Sequence, residues 1–78
     1  MSRSSDLAGA VRRALERYFR DLEGEKPTAI YDMVMKNVEK PMIETVLGKA
    51  AGNQTLAATM LGIDRNTLRT KMRRHRIK

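Results

Sequence analysis

The chain has 78 residues, no cysteine, one histidine, and sixteen basic against nine acidic side chains, for a formal net charge of +7. Disulfides and thiolate metal sites are thereby excluded, and a lone histidine builds no metal cluster, so no cofactor is expected. A single core of this size supplies only about 3–5 kcal/mol of net stability, which makes a second copy of the chain the expected staple.

No apolar run approaches the roughly 20 residues that span a bilayer, and no stretch has the pattern of a signal peptide, so a soluble intracellular protein without a membrane partner is expected. The charge is unevenly placed. Residues 1–63 carry nine basic and eight acidic side chains, whereas residues 64–78 carry Arg65, Arg69, Lys71, Arg73, Arg74, Arg76 and Lys78 against Asp64 alone. A basic block of this kind attracts a polyanion through counterion release, and it also suits a solubilising tail or an anionic surface.

In chain order, the apolar residues Leu7, Val11, Ala14, Leu15, Tyr18, Phe19 and Leu22 step by threes and fours and predict a first helix. Ser5 or Asp6 is placed to cap its start and Gly24 to close its end. Pro27 is placed to open a second helix over residues 27–49, with a stripe of Ile30, Val34, Val38, Met42, Val46 and Leu47 widened by Tyr31, Met33, Met35 and Ile43. Pro41 inside it predicts a kink in one helix rather than two helices, because the apolar spacing stays in phase across it.

Gly52 is expected to end the second helix, Asn53 to cap a third over residues 54–61, and Gly62 to break it. Asp64 then caps a fourth helix over residues 65–75, with Leu68 and Met72 turned inward. The fold class is all-α, and two wide apolar stripes on the first two helices predict a four-helix core built from two copies. The six methionines are expected to fill that core.

Residues 54–72 read QTLAATML, GI, DRNTLRTKM, two helices joined by a tight turn, with Ala58 at the crossing and Leu61, Ile63 and Leu68 in the joint. Opposite Leu68 and Met72 lie Asn66, Thr70, Arg73 and Arg74, with Thr67 and Arg69 at the margins. A recognition helix in the major groove of double-stranded DNA needs that pattern. Arg65 stands where an arginine reads guanine and Asn66 where an asparagine reads adenine, while Asn53 and Thr55 are placed to meet phosphate. His75 reads as a solvated or phosphate-proximal group. No catalytic pair, triad or Gly-rich phosphate loop occurs, so no enzyme is expected.

Over residues 7–72 the sequence resembles the Fis (factor for inversion stimulation) nucleoid-associated proteins of bacteria. The motifs are VEKPMIE at 38–44, GNQT at 52–55, AxxMLGI at 57–63 and RNTLR at 65–69. The resemblance implies a single domain, with dimerisation helices over 7–49 and a helix-turn-helix over 53–75. It further implies a homodimer that bends DNA with loose, A/T-favouring specificity, in the cytoplasm on the nucleoid. Contact with RNA polymerase is a partner question the resemblance raises.

Carried over by position, Arg65 is the base-reading arginine, and Asn53, Thr55, Thr67, Arg69 and Lys71 are further DNA-contacting positions. Asp64, Leu56 and Thr70 depart from the family pattern, replacing an asparagine, a basic residue and a lysine. Only residues 1–6 precede the expected first helix, so the arm with which some members activate a DNA invertase is expected to be absent and the protein inert in a DNA inversion assay. Two rival readings remain: the DNA-binding domain of an enhancer-binding activator, and a protein-interaction dimer with a non-specific basic tail.

Overall fold

The computed structural model describes residues 3–78, with side chains from Asp6 onward. Among them are four helices and no strand: α1 (Arg3–Asp21), α2 (Ile30–Lys49), α3 (Gln54–Leu61) and α4 (Arg65–Arg74). The chain divides into two compact units, one running to Val34 and the other Met35–Lys78.

In the first unit α1 begins before the expected cap. Asp6 lies within its first turn, where a negative charge still meets the positive end of the helix, and Arg20 in the last turn complements the other end; the side chain of Ser5 lies outside the described residues. The helix closes through two left-handed residues, Glu23 and Gly24, with φ of 52° and 87°. The Glu25 N–H donates to the Leu22 carbonyl at 3.1 Å.

Pro27 does not open α2. Ala29 has φ of 54°, which is incompatible with continuing a right-handed helix, and its carbonyl accepts the first helical bond from Met33 N–H at 3.0 Å. The helix therefore starts at Ile30, three residues later than expected. On the α1 stripe Val11, Leu15, Tyr18 and Leu22 are half-buried, but Leu7 and Phe19 remain 59% and 50% exposed. Tyr18 and Phe19 meet edge to face, their ring centroids 5.4 Å apart.

In the second unit α2 runs unbroken through Pro41, as the phase of its apolar residues predicts. The core consists of Ile43, Leu47 and Ala50, then Ala57 and Ala58 from α3 and Leu68 and Met72 from α4, with Val46, Leu61, Ile63 and Ile77 packed around them. Burying an aliphatic side chain of this size contributes about 1.5–3 kcal/mol, so Ile43 and Leu68, both fully buried, anchor the unit.

The face of α2 buried within this chain is one side of the expected stripe, extended by Glu39. Glu39, Ile43 and Leu47 are buried at steps of four, whereas Val38 is half-buried and Met42 is 43% exposed. Among the methionines Met72 is buried and Met33 and Met35 are half-buried within this chain, while Met42 and Met60 are exposed in it; Met1 lies outside the described residues. An apolar helix can satisfy a 3.6-residue period with either of two adjacent stripes. Which stripe is covered depends on where α3 and α4 pack.

Candidate nucleic-acid interface

Two caps and one turn set the geometry of α3 and α4. Beyond Lys49 the chain passes through Ala51 and Gly52 in left-handed conformations, and Gly52 N–H donates to Leu47 O at 2.9 Å. Asn53 caps α3 as expected: its Oδ1 accepts from Leu56 N–H at 3.0 Å, satisfying one of the donors a helix start leaves unpaired. Gly62 closes α3 with φ of 77°, its N–H bonding Ala58 O at 2.9 Å and that of Ile63 bonding the same carbonyl at 3.0 Å. A side chain at this φ is strained, which is why glycine occupies the turn.

Asp64 occupies the N-cap position of α4 with extended backbone, and its carbonyl accepts from Leu68 N–H at 2.9 Å. Its carboxylate, however, makes no capping hydrogen bond. At the other end α4 stops one residue earlier than expected, with His75 as the C-cap donating its N–H to Lys71 O.

Leu68 and Met72 point into the core, so the rest of α4 is turned outward. Arg65, Asn66, Thr67, Arg69, Thr70, Arg73 and Arg74 are all exposed, as are Asn53 and Thr55 ahead of them. A shallow groove of about 270 Å³ brings together Asn66, Thr67, Thr70, Lys71 and Arg74. A second, of about 210 Å³, lies along Gln54, Arg69, Met72, Arg73, Ile77 and Lys78. The cations thus flank α4 on two sides.

Local hydrogen bonds order part of this surface. Thr70 Oγ1 donates to Asn66 O at 3.0 Å, and Arg73 Nη2 donates to Thr70 Oγ1 at 3.5 Å. Thr59 Oγ1 donates to Thr55 O at 3.1 Å on α3. Each is a side-chain bond one helical turn long, made where water competes, so each orients more than it stabilises.

Lys71 is placed differently from the other cations. It is half-buried, and its Nζ donates to Glu39 Oε2 at 2.7 Å. The second Glu39 oxygen is 2.9 Å from His75 Nε2; an ionised carboxylate only accepts, so Nε2 carries the proton of this bond. His75 is therefore buried and bonded to α2, which corrects the expectation of a solvated or phosphate-proximal group. The hydrogen bond from Lys71, and then that from His75, hold the Glu39 carboxyl below the ordinary glutamate value against the opposing effect of burial.

The sequence attaches no role to Glu39; its place follows from the packing of α2 and α4. It continues the buried series Ile43 and Leu47 toward the start of α2 by one turn, and His75 continues the Leu68 and Met72 face of α4 by less than one turn. An acid and a base that both extend core faces are candidates for a buried pair. Among the described residues no buried side-chain nitrogen or oxygen lacks a partner, and no helix is long and apolar enough to cross a membrane.

Residues 34–75 match the family model described as bacterial regulatory protein, Fis family. The chain is 49% identical over 75 residues to a Fis-like DNA-binding protein of Ralstonia nicotianae, covering 96% of each chain. It is 47% identical over 70 residues to a Fis-like DNA-binding protein of Neisseria meningitidis, covering 90% of this chain and 89% of the relative. Against the DNA-binding protein Fis of Mannheimia haemolytica the identity is 48% over 69 residues, 88% of this chain and 70% of that one.

Proposed function

The chain belongs to the Fis family of bacterial regulatory proteins, and we propose that it is a helix-turn-helix DNA-binding protein that works as a homodimer, bends the duplex and regulates transcription on the bacterial nucleoid. The observation that carries the reading is the two-faced α4. Leu68 and Met72 fix it to the core while Arg65, Asn66, Thr67, Arg69, Thr70, Arg73 and Arg74 face solvent.

Such a helix meets the needs of major-groove recognition. Arg65 and Asn66 sit at its N-terminal end, where side chains reach base edges, and the arginines beyond them line up for phosphates. Asn53 and Thr55 at the start of α3 add phosphate donors. The relatives named as DNA-binding proteins support the same partner.

Dimerisation is supported by apolar side chains that this chain leaves uncovered. Leu7, Phe19, Tyr31 and Met42 are between 43% and 75% exposed, and a second copy of the chain would take such side chains out of water. A dimer presents two copies of α4, and seating both on B-DNA deforms it. The cost then depends on local sequence, which is the source of a loose preference for A/T-rich centres.

A gel-shift titration of an A/T-centred duplex at two salt concentrations, with circularly permuted probes, tests this reading. Salt-sensitive dimer binding that Arg65→Ala and Arg69→Ala abolish, with mobility that depends on site position, is the expected result. Binding indifferent to both substitutions, or none below about 10⁻⁴ M, the weak end of non-specific affinity, leaves an interaction module with a basic tail.

A further inference from the structure

A charged cluster centred on Glu39 lies in the second unit, joining α2 to the end of α4. Its carboxylate is buried, with one oxygen 2.7 Å from Lys71 Nζ and the other 2.9 Å from His75 Nε2. Lys71 and His75 stand one turn apart near the end of α4, with Lys71 at the edge of the groove it shares with Asn66, Thr67, Thr70 and Arg74. Two attachments one turn apart restrict rotation of a helix about its axis, in addition to the packing of Leu68 and Met72.

The same geometry changes the electrostatics. In the basic block of residues 64–78 every arginine side chain is exposed, whereas the Lys71 side chain is 27% exposed and already engaged by an anion. Sequence-independent affinity scales with the number of phosphates neutralised. A cation held by an internal carboxylate contributes less to that number than one in water.

Resting on the DNA-binding reading above, we propose that Glu39 is a specificity-determining residue: it occupies Lys71 in place of a DNA phosphate, lowering non-specific attraction, and holds α4 so that its outward face is presented to the bases. Glu39 touches no DNA itself. It acts through Lys71 and His75.

The experiment uses the full chain and its Glu39→Gln variant on an A/T-centred and a random-sequence duplex, each titrated over a range of salt. Glu39→Gln is expected to bind the random duplex more tightly, with a salt slope steeper by about 0.9 per protomer, the equivalent of one added phosphate contact. The preference for the A/T-centred duplex falls several-fold. Adding Lys71→Met removes the added slope.

A merely structural role predicts weaker binding to both duplexes with no steeper slope, and that result overturns the proposal, as does a steepening that persists without Lys71. Should Glu39→Gln fail to fold, amine labelling of the unaltered protein decides. Lys71 is expected to react several-fold more slowly than the exposed Lys78, and equal rates overturn the proposal. If the unaltered protein shows no salt-dependent binding to either duplex, and Arg65→Ala matches it, the DNA reading itself fails; if it binds but the variants leave slope and preference unmoved, only the role of Glu39 fails.

Discussion

His75 at the end of α4 donates across 2.9 Å to Glu39 in α2, thirty-six residues earlier in the chain. The bond is buried and lies beside the ion pair of Glu39 with Lys71. It ties the helix that carries the arginines to the helix that carries Ile43 and Leu47, through polar groups rather than apolar ones.

Removing the carboxylate leaves two donors of α4 without their acceptor. Glu39→Ala is expected to destabilise the protein by about 1.5–3 kcal/mol, the range for hydrogen bonds to charged groups, with Glu39→Gln costing less. The effect depends on pH. Because the folded carboxyl titrates below its unfolded value, its contribution is complete above the ordinary glutamate range and is lost as pH falls through the lower folded value. The gap in Tm between the unaltered protein and Glu39→Gln should be largest above the ordinary glutamate range and narrow as pH falls below it. A gap that is constant over that range rules out the ionised carboxylate as its source.

The two helix starts of the helix-turn-helix should respond differently to alanine. Asn53 Oδ1 accepts from Leu56 N–H, whereas Asp64 makes no side-chain cap bond. Asn53→Ala is expected to cost about 1 kcal/mol in urea unfolding, and Asp64→Ala clearly less than that. Equal losses would mean that the Asp64 side chain caps α4 in solution.

Leu68 is fully buried at the meeting of α2, α3 and α4. Leu68→Ala is expected to cost about 3–5 kcal/mol, the range for a cavity in a core that collapses poorly. A domain of this size holds little more than that in total, so the variant should show a broadened or absent thermal transition by circular dichroism.

Thr70 sits in the groove that Asn66, Thr67, Lys71 and Arg74 share, with its hydroxyl turned back onto the Asn66 carbonyl. Thr70→Lys adds a cation to an exposed position. It should tighten DNA binding at low salt and steepen the salt slope by about 0.9 per protomer with little change in melting temperature. An unchanged slope would place residue 70 away from phosphate.

The local punctuation of this chain was legible in its sequence for physical reasons that operate within a few residues. Asn53 caps because its short amide reaches the amide group of Leu56, and Gly62 turns because no Cβ opposes a φ of 77°. The inward pair Leu68 and Met72 follows from helical periodicity alone, and with it the exposure of the arginines on the opposite face. The start of α2 was not legible in the same way. Pro27 suits a helix start, but the left-handed Ala29 beyond it delays α2 to Ile30.

Tertiary structure alone decided which stripe of α2 is buried, and therefore that Glu39 lies in the core rather than in water. Val38 and Met42 are as apolar as Ile43 and Leu47, so periodicity cannot choose between adjacent faces; the packing of α3 and α4 on one of them makes the choice. The partners of Glu39 lie 32 and 36 residues away. Composition gave Lys71 and His75 the look of two more members of a basic tail, and only the meeting of α2 with α4 turned them inward onto a carboxylate.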